Sequence, residues 1–188
     1  MTSMKYKNPI RAKREGHGEN SGFSLIELLI VVAIIVIIAA IAIPNLLRAR
    51  MAANETSAAE NIRTITTASV IYNTTYGNGF PPDLQTLGGP GPTATCDSAV
   101  LLDQILSASP AVKSGYTFEY TGGDGDALLG AGCTKKGFNG YLVTATPLVK
   151  QVTGQRSFCA NEPAAIYFDA AGKTAPSENA CVALPVLQ

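Results

Sequence analysis

Apolar and polar positions divide this chain into stretches of different character. Residues 1–21 are polar and basic and hold no apolar cluster, so they are expected to be disordered. From Leu28 to Leu47 twenty residues, LLIVVAIIVIIAAIAIPNLL, carry no charge. At about 1.5 Å per helical residue this run spans about 30 Å, the thickness of a bilayer's hydrocarbon core. The helical pattern then continues. Ala58, Ile62, Ile65, Ser69, Tyr72 and Tyr76 recur at spacings of 4, 3, 4, 3 and 4, which places them on one helical face. Glu60 and Arg63 can pair at i, i+3 on another face. No Gly or Pro interrupts the chain between Pro44 and Tyr76. One helix over 23–76 is therefore predicted, about 80 Å long. Its first half, apolar all round, requires lipid or other helices. Its second half, amphipathic, requires one packed partner.

Gly77, Asn78, Gly79, Pro81 and Pro82 end that helix. Residues 83–95 read as a surface loop. SAVLLDQILSA (98–108) predicts a short helix with Leu101, Leu102, Ile105 and Leu106 turned inward. GYTFEY (115–120), GYLVTATP (140–147), RSFC (156–159) and AIYFD (165–169) predict strands, divided by turn residues. Strands in such close succession favour an antiparallel meander, whose apolar face would cover the stripe from Ala58 to Tyr76. The fold class is α+β.

Charge gives the apolar run a direction. Residues 1–22 hold five Lys/Arg against two Glu, a net of +3, and the remainder holds nine basic against twelve acidic residues, a net of −3. A basic stretch ahead of an apolar run stays in the cytoplasm, so the rest of the chain is expected to be exported. Beyond residue 22 no basic patch is large enough for nucleic acid. Cys96, Cys133, Cys159 and Cys181 all lie on the exported side, at separations of 37, 26 and 22 residues and without a CxxC. That spacing argues against zinc and, in an oxidising compartment, for two disulfides. Three connectivities are open; Cys96–Cys133 with Cys159–Cys181 is favoured, because sequential pairing closes the shorter loops.

Candidate chemistry concentrates at the junction SGFSLIELLIVV. Ordinary secretory signals place small residues after the apolar core; here Gly22 precedes it. A cut between Gly22 and Phe23 would remove the basic head and keep the anchor. Glu27 borders the apolar run, where an unpaired carboxylate costs a few kcal/mol. The cut would create an α-amine at Phe23, one turn from Glu27 in the same chain and available to Glu27 of a neighbour. Glu27 in the first turn also suits the helix dipole. Pro44 removes one helical hydrogen bond and clashes with the carbonyl of residue 40. A kink or melted segment near Ala39–Pro44 is expected in an assembly, with a mild kink inside an intact helix as the alternative.

Gly22, Phe23, Ser24, Leu25, Ile26, Glu27, Leu28 and Leu29, followed by the Pro44-containing helix, closely resemble the class III signal of type IV prepilins and type II secretion pseudopilins. The resemblance covers about residues 21–50. It implies that a membrane prepilin peptidase cuts after Gly22 and N-methylates Phe23, and that Glu27 guides each subunit into register with its neighbour. It also implies the pilin fold, a long N-terminal helix on an antiparallel sheet with a disulfide-bounded C-terminal region. SGYTFEY, YLVTATP, GQRSFC and AIYFDAAGK match that superfamily's strand order more loosely. The expected organisation is a cleaved leader (1–22), a transmembrane and assembly half-helix (23–47), an amphipathic half-helix (48–76) and a globular head (77–188). The function expected is a structural one: a subunit held once across the inner membrane, head in the periplasm, then built by inner-membrane assembly machinery into a homo-oligomeric surface filament for adhesion, motility or DNA uptake. The alternative is a pseudopilin in a short periplasmic fibre. A membrane-anchored enzyme is a third class, but the only histidine, His17, lies in the removed part, which excludes His-based catalysis and metal sites in the processed chain. No cofactor is expected. Asp124 and Asp126 in TGGDGDALLG could hold calcium with backbone carbonyls, although a solvated loop is the plainer reading. Asn54-Glu55-Thr56 and Asn73-Thr74-Thr75 fit the N-glycosylation pattern but fall on the predicted helix, so they are discounted.

Overall fold

The computed structural model describes residues 22–89, 91–123, 125, 129–130, 132–162 and 164–187. The expectation of disorder for 1–21 lies outside the described residues. Helix α1 runs from Leu25 to Tyr76. Ser24 starts it, its carbonyl accepting the Leu28 N–H at 3.2 Å. Gly77 ends it in the left-handed region at φ 59°, with its N–H on the Asn73 carbonyl at 3.0 Å. A side chain at that dihedral would be strained, so glycine stops the helix there. The chain falls into two compact units that meet within α1, one reaching to Ile41 and one beginning at Ala42.

In the first unit α1 is exposed at every residue but Ala39, which is half-buried, as an apolar surface without a partner must be. In the second unit the predicted stripe is buried: Ala58, Ile62, Ile65, Ser69 and Tyr72 are each 0 % exposed. Tyr76 is half-buried against the same core. The partner is a sheet of five strands in sequence order, all antiparallel: β1 Ala111–Lys113, β2 Tyr116–Gly122, β3 Tyr141–Pro147, β4 Ser157–Asn161 and β5 Ile166–Asp169. Tyr116, Phe118, Val143, Ala145, Phe158 and Ala160 meet the α1 stripe in one cluster. Full burial of each large aliphatic or Phe side chain among these contributes about 1.5–3 kcal/mol.

β2 alternates, with Tyr116 and Phe118 buried and Glu119 exposed. β4 does not: all five of its residues are buried, because both faces of the sheet are covered there. Behind it Leu142, Cys159, Ala175 and Cys181 form a second cluster. The short helix α3, Glu178–Val182, supplies Cys181. The C-terminal residues extend the sheet: Phe168 N–H donates to the Pro185 carbonyl at 3.0 Å and Leu187 N–H to the Ile166 carbonyl at 2.7 Å. That pairing covers the outer edge of β5.

The segment 98–108 departs from expectation, because it forms turns and no helix. Val100 sits at φ 54°, in the left-handed region, which a right-handed helix cannot pass through. The N–H groups around it are taken by the stretch before. Ala99 N–H bonds the Thr86 carbonyl at 2.8 Å, Val100 the Gly88 carbonyl at 2.9 Å and Leu101 the Leu87 carbonyl at 2.7 Å. Asp103 then accepts from the N–H groups of Ile105 and Leu106, both at 2.9 Å, which favours a local turn over a helix. Leu102 and Leu106 are buried, Leu101 is half-buried, and Ile105 points outward at 54 % exposure. The expected loop 83–95 contains one helical turn, Leu84–Leu87, designated α2, which Asp83 caps by accepting the Thr86 N–H at 2.7 Å.

Candidate assembly site

Gly22 and Phe23 precede the helix and are exposed, Phe23 at 79 %. A Cβ added at Gly22 would meet nothing within 4 Å. The fold itself therefore makes no demand for glycine at this position. Three residues on, Ser24 and Glu27 are joined: the Ser24 N–H donates to Glu27 Oε2 at 3.3 Å. Glu27 thus supplies one half of a capping box, satisfying a backbone donor that the helix cannot satisfy from within. Sequence reasoning overlooked Ser24 in this role, although S-x-x-E ahead of an apolar run is the signal for it. The Glu27 carboxylate is held on the N-terminal turn, where the helix dipole favours it.

Beyond Glu27 the apolar residues from Leu28 to Leu47 project on every side of α1, and none of them is buried. By length and composition this helix can cross a membrane. Pro44 lies inside α1, and the backbone keeps its helical assignment through Ala39–Pro44 in the isolated chain. In sequence Pro44 follows Glu27 by seventeen residues, near the end of the apolar run.

The cysteines pair as Cys96–Cys133 and Cys159–Cys181. The first bridge sits at the distal end of α1, where the Tyr72 hydroxyl donates to the Cys96 carbonyl at 2.8 Å. Asn78, fully buried, works beside it: its amide donates to the Lys135 carbonyl at 3.0 Å and accepts the Gly130 N–H at 2.6 Å. The second bridge ties α3 to β4. Asp124 and Asp126, the calcium candidates, lie outside the described residues. Among the described residues no group of three His, Cys, Asp or Glu side chains is placed to hold a metal ion.

A set of polar residues that joins α1 to the head gave no signal in the sequence. Glu55, 8 % exposed, accepts the N–H of Gln155 at 2.9 Å, the N–H of Arg156 at 3.1 Å and Arg156 Nε at 2.8 Å. Burial alone would raise the Glu55 carboxyl, but the two backbone donors and the Arg156 guanidinium outweigh it and hold the group below the usual carboxylate range. Asn54 Nδ2 donates to the Thr153 carbonyl at 2.8 Å and Ser57 Oγ to Ser114 Oγ at 2.9 Å. These polar contacts fix the sheet's register on α1. No pattern in the sequence links a glutamate at 55 with an arginine a hundred residues later.

Comparison with known proteins agrees with this geometry. Residues 19–43 match the family model described as the prokaryotic N-terminal methylation motif. The type IV wide pilus major component PilA4 of Thermus thermophilus is 71 % identical over 35 residues, 19 % of this chain and 27 % of that protein. The type IV major pilin protein PilA of Myxococcus xanthus is 51 % identical over 49 residues, 26 % of this chain and 22 % of that protein. The chain spans about a quarter of the length of these curated relatives. No solved structure matches it significantly. The methylation motif and the pilin relatives support a type IV pilin. The long helix, five-stranded antiparallel sheet and two disulfides form an α+β, pilin-like fold.

Proposed function

We propose that this chain is the precursor of a type IV pilus subunit, cut between Gly22 and Phe23, N-methylated at Phe23, and assembled through α1 into a surface filament. The observation that carries the reading is the junction itself: a glycine that the fold does not require, three residues ahead of a helix whose apolar first half has no buried residue. A peptidase that selects the smallest residue accounts for the glycine. Lipid and then other copies of α1 account for the exposed surface. Before assembly the apolar half spans the inner membrane once and the head faces the periplasm. In the filament, side chains from Leu28 to Ile43 leave lipid for each other, and the positive Phe23 amine meets Glu27 of the same chain or of its neighbour. The chain performs no catalysis in this scheme. The prepilin peptidase and the inner-membrane assembly machinery act on it. Both relatives described above are pilus components by name, which favours a surface pilus over a short secretion fibre.

Sheared surface filaments should contain this chain with N-methylphenylalanine, from Phe23, at its N-terminus, read by mass spectrometry. A chain found only uncut, or only as periplasmic fibres beside a secretion pore, would sink the proposal.

A further inference from the structure

We infer that the loop Leu148–Val152 is a membrane-contacting foot, resting in the headgroup layer of an anionic bilayer while the chain is anchored. The inference rests on the membrane-anchored reading above. Leu148, Val149 and Val152 are 52 %, 52 % and 61 % exposed, three large apolar side chains within five residues of one loop. The loop that presents them is internally bonded. Gln151 N–H donates to the Gly154 carbonyl at 2.8 Å, Thr153 N–H to the Val149 carbonyl at 2.9 Å, and Val152 N–H to the same carbonyl at 3.1 Å. Leu148 N–H donates to the Gly115 carbonyl at 3.0 Å. Beneath the loop, Gly154 passes so close to Tyr116 that an added Cβ would lie 2.0 Å from the hydroxyl oxygen. These side chains are therefore ordered without being buried, and a contact with them sacrifices little further backbone freedom.

Position identifies the occupant. The Asn54–Thr153 bond anchors the loop at the level of Asn54, where the hydrogen bonds between head and α1 begin among the described residues. Asn54 lies seven residues beyond Leu47, the end of the charge-free run, which is about 10 Å along the helix. The polar layer of a bilayer extends about 5–8 Å beyond the hydrocarbon, and spanning helices tilt by about 20°. A loop about 10 Å off the helix axis, on the side to which the helix tilts, is lowered by about 3 Å more, which brings the foot to the headgroups. Arg48 precedes Glu55 by seven residues and so shares the helical face on which the loop docks. Arg48, Arg50 and Lys150 are exposed, whereas Glu55 is neutralised by Arg156. Exposed apolar residues flanked by basic ones are what an anionic interface binds. Ile43, Leu46 and Leu47, in the same unit, are exposed apolar residues as well.

The test uses the full chain, one copy per nanodisc of anionic phospholipid, with an environment-sensitive fluorophore on single added cysteines after the native disulfides have formed. Val149→Cys and Val152→Cys should lose emission to lipids carrying a nitroxide at headgroup depth, and Ile105→Cys, on another part of the head, should not. Ile35→Cys should lose emission to a nitroxide deep in the acyl chains. If Ile35→Cys is quenched while Val149→Cys and Val152→Cys behave like Ile105→Cys, the foot is overturned and the anchored reading stands. If Ile35→Cys is not quenched, both fail. Shielding of Val149→Cys that appears only with several copies per disc, without nitroxide quenching, would assign the loop to a second copy and overturn the inference.

Discussion

Glu55 holds Arg156 twice, by its backbone N–H at 3.1 Å and by its guanidinium Nε at 2.8 Å. The Arg156 guanidinium also lies over the rings of Phe158 and Phe168, at 5.6 Å and 5.4 Å. One carboxylate on α1 thereby joins the helix to the start of β4 and to the aromatic residues of β4 and β5. Removing it leaves two backbone donors and a half-buried cation without their acceptor. Glu55→Ala should lower head stability by about 2–3 kcal/mol, and Glu55→Gln by less, since an amide oxygen still accepts. Denaturant unfolding of the detergent-solubilised chain measures both.

The same pair sets a pH dependence. The Glu55 carboxyl is held below its ordinary value in the folded chain, so the folded state binds fewer protons there than the unfolded state. Its contribution is complete above the unfolded value of about 4.3 and is lost as pH falls through the folded one. Melting temperature should fall from about pH 5 downward, and Glu55→Gln should flatten part of that slope. Asp83 and Asp103, also held low, supply more of it. An identical slope in Glu55→Gln would remove Glu55 from the account.

Two isoleucines on one helix should behave oppositely. Ile62 is 0 % exposed and Ile35 is 58 % exposed. Ile62→Ala should cost the head about 2–5 kcal/mol through lost burial and the cavity left behind. Ile35→Ala should leave head unfolding unchanged and reduce the yield of sheared filaments. A head that melts normally with Ile62→Ala would contradict the packing described.

Gly22 and Gly154 make a similar contrast. Gly154→Ala forces a methyl group into the Tyr116 ring and hydroxyl, displacing the bond that Tyr116 makes to the Arg156 carbonyl at 2.8 Å. Overpacking of that kind costs about 1–3 kcal/mol. Gly22→Ala meets no atom and should leave stability untouched. Any block in processing by Gly22→Ala, seen as an uncut band on immunoblot, therefore reports recognition by the peptidase.

Each disulfide closes a sizeable loop, of 37 and 22 residues. Loop-closure entropy predicts about 3–4 kcal/mol from each. Replacing Cys159 and Cys181 together by Ser should cost that much in denaturant unfolding. A loss near zero would mean that the reduced unfolded chain is already compact around this segment.

Legibility followed the range of the interactions. The stripe from Ala58 to Tyr76 was readable because helical periodicity repeats every few residues and each member is buried for the same reason. β2 was readable because one of its faces is wet. β1, three residues long, and α3, five residues long, carry too few positions for a period to show. The turns at 98–108 have an apolar spacing that suits a helix, but Val100 is held in the left-handed region with its N–H on the Gly88 carbonyl, and a right-handed helix cannot pass through it.

Sequence by itself determined the apolar run of α1, the Gly22–Phe23 junction and the presence of a carboxylate at Glu27, since charge, length and hydropathy are local properties. It also limited the cysteines to three pairings. Loop length favoured the pairing that the tertiary structure shows; only the tertiary structure placed Glu55 on Arg156 and left Leu148, Val149 and Val152 uncovered. Those outcomes depend on which distant groups share a neighbourhood, and that is decided by how the whole sheet packs against the helix.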